Sequence, residues 1–177
     1  ERGDAVASRL LAFARRSELS AAPIDATELL DDLRIVLERT LGRAYASDVM
    51  VERGLPPLLA DRRQLEAALV NLAVNARDAM PGGGTLFVSA SGETVATGER
   101  PAPGRYVRLV LRDTGEGMDA ETLAKATEPF FTTKGTGKGT GLGLSMVQGM
   151  VEQLGGAFVL ASRPGEGTRA ELWLPVA

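Results

Sequence analysis

The helix predicted between Asp61 and Ala79 limits the possible folds of this chain more than any other segment. Asp61 can cap the N-terminus of this helix, and Pro81 followed by Gly82–Gly84 ends it. Its apolar side chains recur at helical spacing and form one stripe, which consists of Leu65, Leu69, Leu72 and Ala76. The stripe predicts that one face of the helix packs against a hydrophobic core.

A polar face lies beside this apolar stripe. Asn71, Asn75 and Asp78 fall within about 60° of one another on a helix that turns about 100° per residue. A solvated face is the simpler interpretation, but asparagine is a poor helix former, and the solvent faces of this chain use Arg and Glu. Two asparagines in the middle of a helix therefore indicate a functional role, and an amide oxygen is a hard ligand that suits Mg²⁺.

Composition excludes several classes of function. The 177 residues, 44% of them hydrophobic, suffice for one domain with a core. A net charge of −3 offers no basic field for nucleic acid or membranes, and no apolar run approaches the roughly 18 residues of a membrane span. The sequence has neither cysteine nor histidine, which excludes thiol catalysis, a histidine base and a phosphohistidine on this chain. No signal peptide opens the chain, so we expect a cytoplasmic domain without direct nucleic-acid or membrane contact.

The other periodic segments predict a mixture of helices and strands. The segment "LPPLLA" (55–60) is interpreted as a turn. Further helices are predicted over 4–19, 25–41, 119–125 and 141–154, and strands over 47–54, 85–96, 105–113, 157–162 and 168–176. The economical arrangement is an α/β two-layer sandwich, in which a mixed, mostly antiparallel sheet of about five strands carries three helices on one face, plus an N-terminal helix.

The motif "DTGEG" follows a predicted strand that ends in Asp113. A carboxylate at a strand end can accept a hydrogen bond from an exocyclic amine, and Gly115 and Gly117 allow backbone to approach a flat ring closely. An ordinary Asp-x-Gly turn is the alternative for this motif alone.

A glycine-rich segment, "GTGKGTGLGLS" (135–145), leads directly into a predicted helix. Gly141 and Gly143 flank the start of that helix, where unpaired N–H groups and the helix dipole favour an anion, and Lys134 and Lys138 lie nearby. A flexible linker is the alternative, but linkers rarely continue into a helix through alternating glycines. The preceding "EPFFTTK" (128–134) is interpreted both as a hydrophobic plug and as a hinge.

Together these motifs, in the order "NLAVNARDAM", "DTGEGM", "EPFFTTK", "GTGLGLS" and "GEGT", resemble the N, G1, F, G2 and G3 boxes of sensor histidine kinases. The resemblance covers roughly residues 24–176 and concerns the ATP-binding catalytic domain. This domain has the Bergerat-type fold that is shared with gyrase, the MutL repair proteins and a large heat-shock chaperone.

The resemblance implies a role for each matching residue. Asn75 would ligate Mg²⁺ between the phosphates, Asn71 would support that end, and Asp113 would accept from the adenine amine. Asp78 would lie near adenine through water, and residues 132–140 would form a lid over ATP. Catalytic roles would belong to Asn71, Lys134 and Lys138, of which the two lysines would reach the γ-phosphate. The implied nucleotide-binding set is Asn71, Asn75, Asp78, Asp113, Gly115, Gly117, Met118, Phe131, Thr132, Thr133, Lys134, Lys138, Gly139, Thr140, Gly141, Leu142, Gly143, Leu144 and Thr168.

Two departures from related motifs are informative. ATP-hydrolysing members of the superfamily carry a glutamate where this chain has Asn71, and an amide cannot act as the general base that activates water. Many histidine kinases carry a lysine where this chain has Asp78, and Arg77 lies one position away on the helix. We therefore expect slow hydrolysis, and we assign the phosphate contact to the lid lysines rather than to Arg77.

The resemblance also implies partners outside this sequence. Residues 1–22 resemble the end of the second helix of a dimerisation hairpin with its linker, and 23–177 the catalytic domain. The phosphoacceptor histidine would belong to that hairpin in a homodimeric parent, and the final recipient would be the receiver domain of a response regulator. Two alternatives stay open at this point: a nucleotide-binding signalling module without chemistry, and an ATPase of the chaperone or gyrase type.

Overall fold

The computed structural model describes residues 19–99, 101–137 and 139–177. The helix predicted over 4–19 falls outside these ranges except for its last residue, and so does Lys138. In chain order the elements are β1 (Ala22–Ile24), α1 (Ala26–Leu41), β2 (Tyr45–Val51), β3 (Leu58–Ala60), α2 (Arg62–Asp78), β4 (Gly84–Val95), β5 (Gly104–Asp113), α3 (Ala120–Lys125), α4 (Gly143–Gln153), β6 (Ala157–Ser162) and β7 (Thr168–Pro175).

A five-stranded sheet with the order β2-β4-β5-β7-β6 forms one layer of the domain. β2 runs parallel to β4, and the other neighbours in the sheet are antiparallel. The sheet is therefore mixed and mostly antiparallel, which confirms the predicted fold class.

Three helices, α1, α2 and α4, form the second layer on one face of the sheet. α1 begins where the Asp25 side chain accepts hydrogen bonds from two backbone N–H groups, and it ends at Gly42, whose φ is 88°. Leu65 and Leu69 of α2 are fully buried against Leu109 of β5 and its neighbours, so the predicted apolar stripe does face the core. This packing fixes the direction in which the polar face of α2 points.

The prediction of a turn over "LPPLLA" is wrong at its end. Leu58–Ala60 forms β3 and pairs antiparallel with β1, which contains Pro23. Leu58 and Ala60 are completely buried, but a three-residue strand is too short to show alternation, and the two prolines before it hide the signal. Proline is tolerated in β1 because this strand lies at the edge of a two-stranded sheet.

Within the described residues, no helix combines the length and the apolar composition that a membrane span requires.

Candidate nucleotide-binding site

A cavity of about 840 Å³ opens between α2, the C-terminal end of β5, the lid and the start of α4. With two exceptions, every residue that the sequence predicted for nucleotide binding lines this cavity. The exceptions are Gly115, which does not reach the cavity wall, and Lys138, which lies outside the described residues.

Asp113 lies at one end of the cavity and is 6% exposed. Its Oδ1 accepts hydrogen bonds from the backbone N–H groups of Gly115, at 2.8 Å, and Thr168, at 3.2 Å. Burial raises the pKa of the Asp113 carboxyl above its usual value, and the two backbone donors oppose that rise. Because both of these donors bind Oδ1, the carboxylate is held in one orientation. Oδ2 has no hydrogen-bond partner among the described residues and is available to a ligand.

The glycines after Asp113 are required by close packing of the loop. A Cβ on Gly115 would lie 2.5 Å from the carbonyl oxygen of Ala79, and one on Gly117, where φ is 71°, would run into the carbonyl of Arg163. Gly115 therefore packs against the end of α2 instead of lining the cavity, whereas Gly117 does both. Contact between Gly115 and the base, as the resemblance implies, stays a prediction.

Asn71 lies at the other end of the cavity, against the start of α4. A Cβ on Gly143 would lie 2.6 Å from both terminal atoms of the Asn71 amide, so only glycine permits this approach. α4 has no side-chain cap at its N-terminus, and the buried Asn71 Nδ2 has no hydrogen-bond partner within the described part of the chain. Since the N–H groups at an uncapped helix start and the helix dipole favour negative charge, this corner of the cavity is suited to an anionic ligand.

Lys134 joins the lid to the polar face of α2. Its Nζ donates to Asp78 Oδ2 at 2.6 Å and to Asn75 Oδ1 at 3.2 Å. Burial raises the pKa of the Asp78 carboxyl, but the hydrogen bond and charge of Lys134, together with Arg77, outweigh it and hold the pKa below its usual value. The sequence placed Asp78 near adenine through water. The structure shows it bonded to the lid lysine, and the adenine contact stays a prediction.

Arg77 is engaged elsewhere. Its Nη1 donates to the carbonyl of Thr40 at 3.0 Å, near the C-terminal end of α1, where a cation is favourable. Its guanidinium also contacts the Asp78 carboxylate at 3.4 Å. These bonds agree with the expectation that Arg77 does not serve as the phosphate ligand.

The lid is closed at its base by the Phe130 N–H, which donates to the Gly141 carbonyl at 2.8 Å. Phe130 is the one non-glycine residue with a positive φ, 67°, in the described ranges, and it is 55% exposed. Gly141 also has a φ of 67°, and a Cβ there would collide with the Phe130 backbone. Phe130 and Phe131 both line the cavity, and the hinge and plug roles of this segment stay predictions.

Sequence reasoning missed the apolar part of the cavity wall. Leu72 and Ala76 were assigned to the core stripe, yet they also line the cavity, because the stripe and the polar face adjoin. The inward positions of β5 and β7 could have indicated Leu111 and Ala170. The lining residues that were not predicted are Leu72, Val74, Ala76, Ala79, Leu86, Leu111, Glu116, Thr122, Ala126, Phe130, Gly137, Leu160 and Ala170.

The residues present fit a metal ion that takes most of its ligands from a phosphate-bearing ligand. Among the described residues, no group of three or more His, Cys, Asp or Glu side chains could hold a metal by itself. Asn75 Oδ1 faces a cation already, since it accepts from the Lys134 ammonium. Mg²⁺ characteristically uses one or two protein oxygens together with phosphates and water.

The sequence profile described as "Histidine kinase-, DNA gyrase B-, and HSP90-like ATPase" matches residues 60–177. The chain belongs to this ATPase family. It is therefore an ATP-binding domain, and the resemblance to the catalytic domain of sensor histidine kinases is confirmed.

Relatives within this family are sensor kinases. Sensor kinase CckA of Brucella abortus (strain 2308) is 44% identical over 179 residues, which cover 98% of this chain and 19% of that protein. Sensor histidine kinase ZraS of Escherichia coli (strain K12) is 33% identical over 177 residues, covering 99% of this chain and 36% of that protein. The chain thus spans well under half the length of either relative.

Solved structures share the architecture. Full-length ShkA in complex with AMPPNP aligns with a TM-score of 0.71 and 29% identity, covering 90% of this chain and 32% of that one. A nucleotide-free catalytic domain of histidine kinase ThkA aligns with a TM-score of 0.70 over 89% of this chain and 98% of that one. At 24% identity, the second likeness shows the fold alone.

Proposed function

We propose that this domain binds Mg²⁺–ATP and transfers the γ-phosphoryl group to a histidine on the dimerisation hairpin of its parent protein. A receiver domain of a response regulator would then accept the group. The observation that carries the proposal is that one cavity contains both a site suited to a base and a site suited to phosphates. The Asp113 carboxylate lies at one end. At the other end, beside the uncapped α4, lies the Asn71 amide, whose Nδ2 has no partner among the described residues.

At the base end, Asp113 would accept a hydrogen bond from the adenine amine through Oδ2. Its orientation is fixed in advance because Gly115 and Thr168 hold Oδ1. Guanine presents a carbonyl where adenine has an amine, and two acceptors facing each other would repel. This arrangement supports ATP over GTP as the bound nucleotide.

At the phosphate end, the first N–H groups of α4 and the Asn71 amide would donate to phosphate oxygens. Asn75 would supply its amide oxygen to Mg²⁺, which when bound neutralises charge on the β- and γ-phosphates. Lys134 would contact the γ-phosphate from the lid, and Lys138 is proposed for the same role. These groups position the γ-phosphorus and stabilise charge, and that is the larger part of catalysis in phosphoryl transfer.

The transfer forms a bond between a histidine ring nitrogen and the γ-phosphorus and breaks the bond from that phosphorus to the β,γ-bridging oxygen. ADP leaves with the electron pair. Asn71 cannot deprotonate water, so hydrolysis lacks its base. This chain contains no histidine, so the acceptor must be supplied by another chain segment.

Labelling tests the proposal. Incubation of this domain alone with Mg²⁺ and [γ-³²P]ATP should leave it unlabelled, and addition of the histidine-bearing hairpin should produce acid-labile label on the hairpin. Acid-labile phosphate on this domain alone would contradict the proposal. Binding of ATP without any transfer would favour a non-catalytic signalling module instead.

A further inference from the structure

The Lys134 ammonium already occupies a position beside the proposed metal ligand. It lies 3.2 Å from Asn75 Oδ1 and 2.6 Å from Asp78 Oδ2, and the two charged side chains are about one-third exposed. The lid folds back on the stem of this lysine, since a Cβ on Gly139 would lie 3.1 Å from Lys134 Cδ. The lysine therefore ties the lid to α2.

An ammonium group and a divalent cation cannot share one amide oxygen at contact distance. Their charges repel strongly in a half-buried site, and the oxygen that accepts from Nζ has to turn toward the metal. Among the described residues, the Arg77 guanidinium is also near Asp78, but it is held by the Thr40 carbonyl. Lys134 is thus the group that an incoming metal would have to displace.

We propose that Asp78 holds the Lys134 ammonium on Asn75 as an internal cation of the empty site, and that Mg²⁺ arriving with a nucleotide displaces it. The inference rests on the proposed function, which assigns Asn75 to the metal. Displacement releases the lysine, and with it the lid, at the moment when a phosphate becomes available. Asp78 is then a positioning residue that links metal binding to lid release.

The tether explains both the carboxylate at position 78 and the stability of a lid that has few apolar side chains. A carboxylate on α2 at position 78 needs a basic partner, and the lid provides one at position 134. A lid of small and polar residues has little apolar surface to offset its ordering entropy, so an ionic tether is the contact that can hold it in the empty site.

Lysine-selective ¹⁵N NMR of side-chain ammonium groups tests the tether directly, because the chain has only Lys125, Lys134 and Lys138. In the metal-free, nucleotide-free protein, we expect a slowly exchanging ammonium signal that disappears in Lys134→Met and exchanges rapidly in Asp78→Asn. Lys125→Met is the matched control, since Lys125 pairs with the exposed Glu121 on α3. Retention of the slow Lys134 signal in Asp78→Asn would overturn the tether.

ADP tests the displacement, because it lacks the γ-phosphate that Lys134 is proposed to contact. Mg²⁺–ADP should shift the Lys134 signal and speed its exchange, whereas ADP with EDTA should leave it unchanged. In Lys134→Met, the Mg²⁺ concentration that gives half-maximal enhancement of ADP binding should fall by up to about fivefold. This factor corresponds to the loss of a partly exposed ion pair that contributes about 1 kcal/mol. It should not change in Lys125→Met.

Equal shifts with Mg²⁺–ADP and with metal-free ADP would overturn the displacement, as would an unchanged Mg²⁺ requirement in Lys134→Met. Failure of the proposed function gives a different result. If Mg²⁺ does not strengthen ADP binding in the wild type, the metal role of Asn75 fails and the displacement fails with it. The metal-free spectra decide the tether in either case.

Discussion

Asp113 carries its two oxygens in different environments, and this difference determines what a substitution should do. Oδ1 accepts from two backbone donors, whereas Oδ2 has no hydrogen-bond partner among the described residues, and Asp113 lines the cavity. Asparagine can keep the Oδ1 contacts, so Asp113→Asn should change the ligand contact while preserving the loop.

For Asp113→Asn we expect weaker ATP binding, because the amide presents an NH₂ group to the adenine amine. Loss of a hydrogen bond to a charged acceptor costs about 1.5–3 kcal/mol, which is roughly 10- to 150-fold in affinity. Isothermal titration calorimetry with Mg²⁺–ATP measures this. Asp48→Asn, on the exposed side of β2, is the control and should bind normally. Unchanged affinity in Asp113→Asn would move the base site elsewhere.

Two glycines on α4 make a matched pair of substitutions at the scale of the helix. Gly143 touches the Asn71 amide, whereas a Cβ on Gly149 would meet nothing within 4 Å. Gly143→Ala should displace Asn71 and lower ATP affinity by about tenfold or more, since forcing a methyl group into a packed site costs about 1–3 kcal/mol. Gly149→Ala should raise the free energy of unfolding by about 0.5–1 kcal/mol without affecting binding.

Calorimetry and urea denaturation on both variants separate these effects. Normal ATP affinity in Gly143→Ala would mean that the α4–Asn71 contact does not form the phosphate end of the site. A loss of affinity in Gly149→Ala would point to the stability of α4 rather than to this contact.

The outer face of the sheet contains a charged network that stabilises β5 against β7. Glu171, 4% exposed, accepts from Arg108 at 2.7 and 3.0 Å and from the Trp173 indole at 3.1 Å. Burial raises the pKa of Glu171, but the hydrogen bonds of Arg108 and Trp173 and the charges of Arg108 and Arg169 lower it below its ordinary 4.5. A depressed carboxyl pKa contributes stability that is present above pH 4.5 and is lost as the pH falls through the folded value.

Glu171→Gln should therefore destabilise the domain by about 2 kcal/mol at pH 7, because the partly exposed Arg108 loses its hydrogen-bonded carboxylate and keeps only Glu93, at 3.5 Å. The difference from wild type should begin to shrink as the pH falls below 4.5, where the unfolded wild type takes up a proton at position 171. It should be small once the pH is below the lowered folded pKa, since both proteins then carry a neutral side chain. Urea denaturation at a series of pH values measures this difference in the free energy of unfolding. Glu121→Gln removes an exposed i,i+4 pair and should change stability by no more than about 0.5 kcal/mol. A difference for Glu171→Gln that is independent of pH would contradict the role of its charge.

Features of the fold that rest on local sequence patterns could be predicted, whereas features that rest on contacts between distant segments could not. The cap at Asp61, the stripe on α2 and the glycines at the start of α4 are local patterns, and the structure has them where they were predicted. β1 and β3 were missed because three-residue strands depend on tertiary pairing rather than on periodicity.

At the site, the predicted residues were mostly those with distinctive chemistry. The apolar wall was not predicted, because a leucine such as Leu111 looks the same whether it faces a core or a cavity. The Lys134–Asp78 bond joins residues 56 positions apart, and nothing in local spacing indicates which cation a carboxylate will meet.

At the scale of the whole molecule, the proposed function places ATP recognition in this domain and the phosphoacceptor outside it. The cavity brings the base end, the phosphate end and the lid together, but the chain has no histidine to receive the group. The central claim is that ATP held here is directed to histidine and away from water, because Asn71 stands where a hydrolase needs a base.

The most direct test is a measurement of how the γ-phosphoryl group divides between the two acceptors. Excess domain is mixed with Mg²⁺, [γ-³²P]ATP and the histidine-bearing hairpin, and free phosphate and acid-labile phosphoprotein are followed in the same samples. The account predicts that phosphohistidine accumulates much faster than free phosphate, and that omission of the hairpin leaves ATP largely intact. Release of phosphate at an equal or higher rate with no hairpin present would contradict it and would indicate an ATPase of the chaperone or gyrase type.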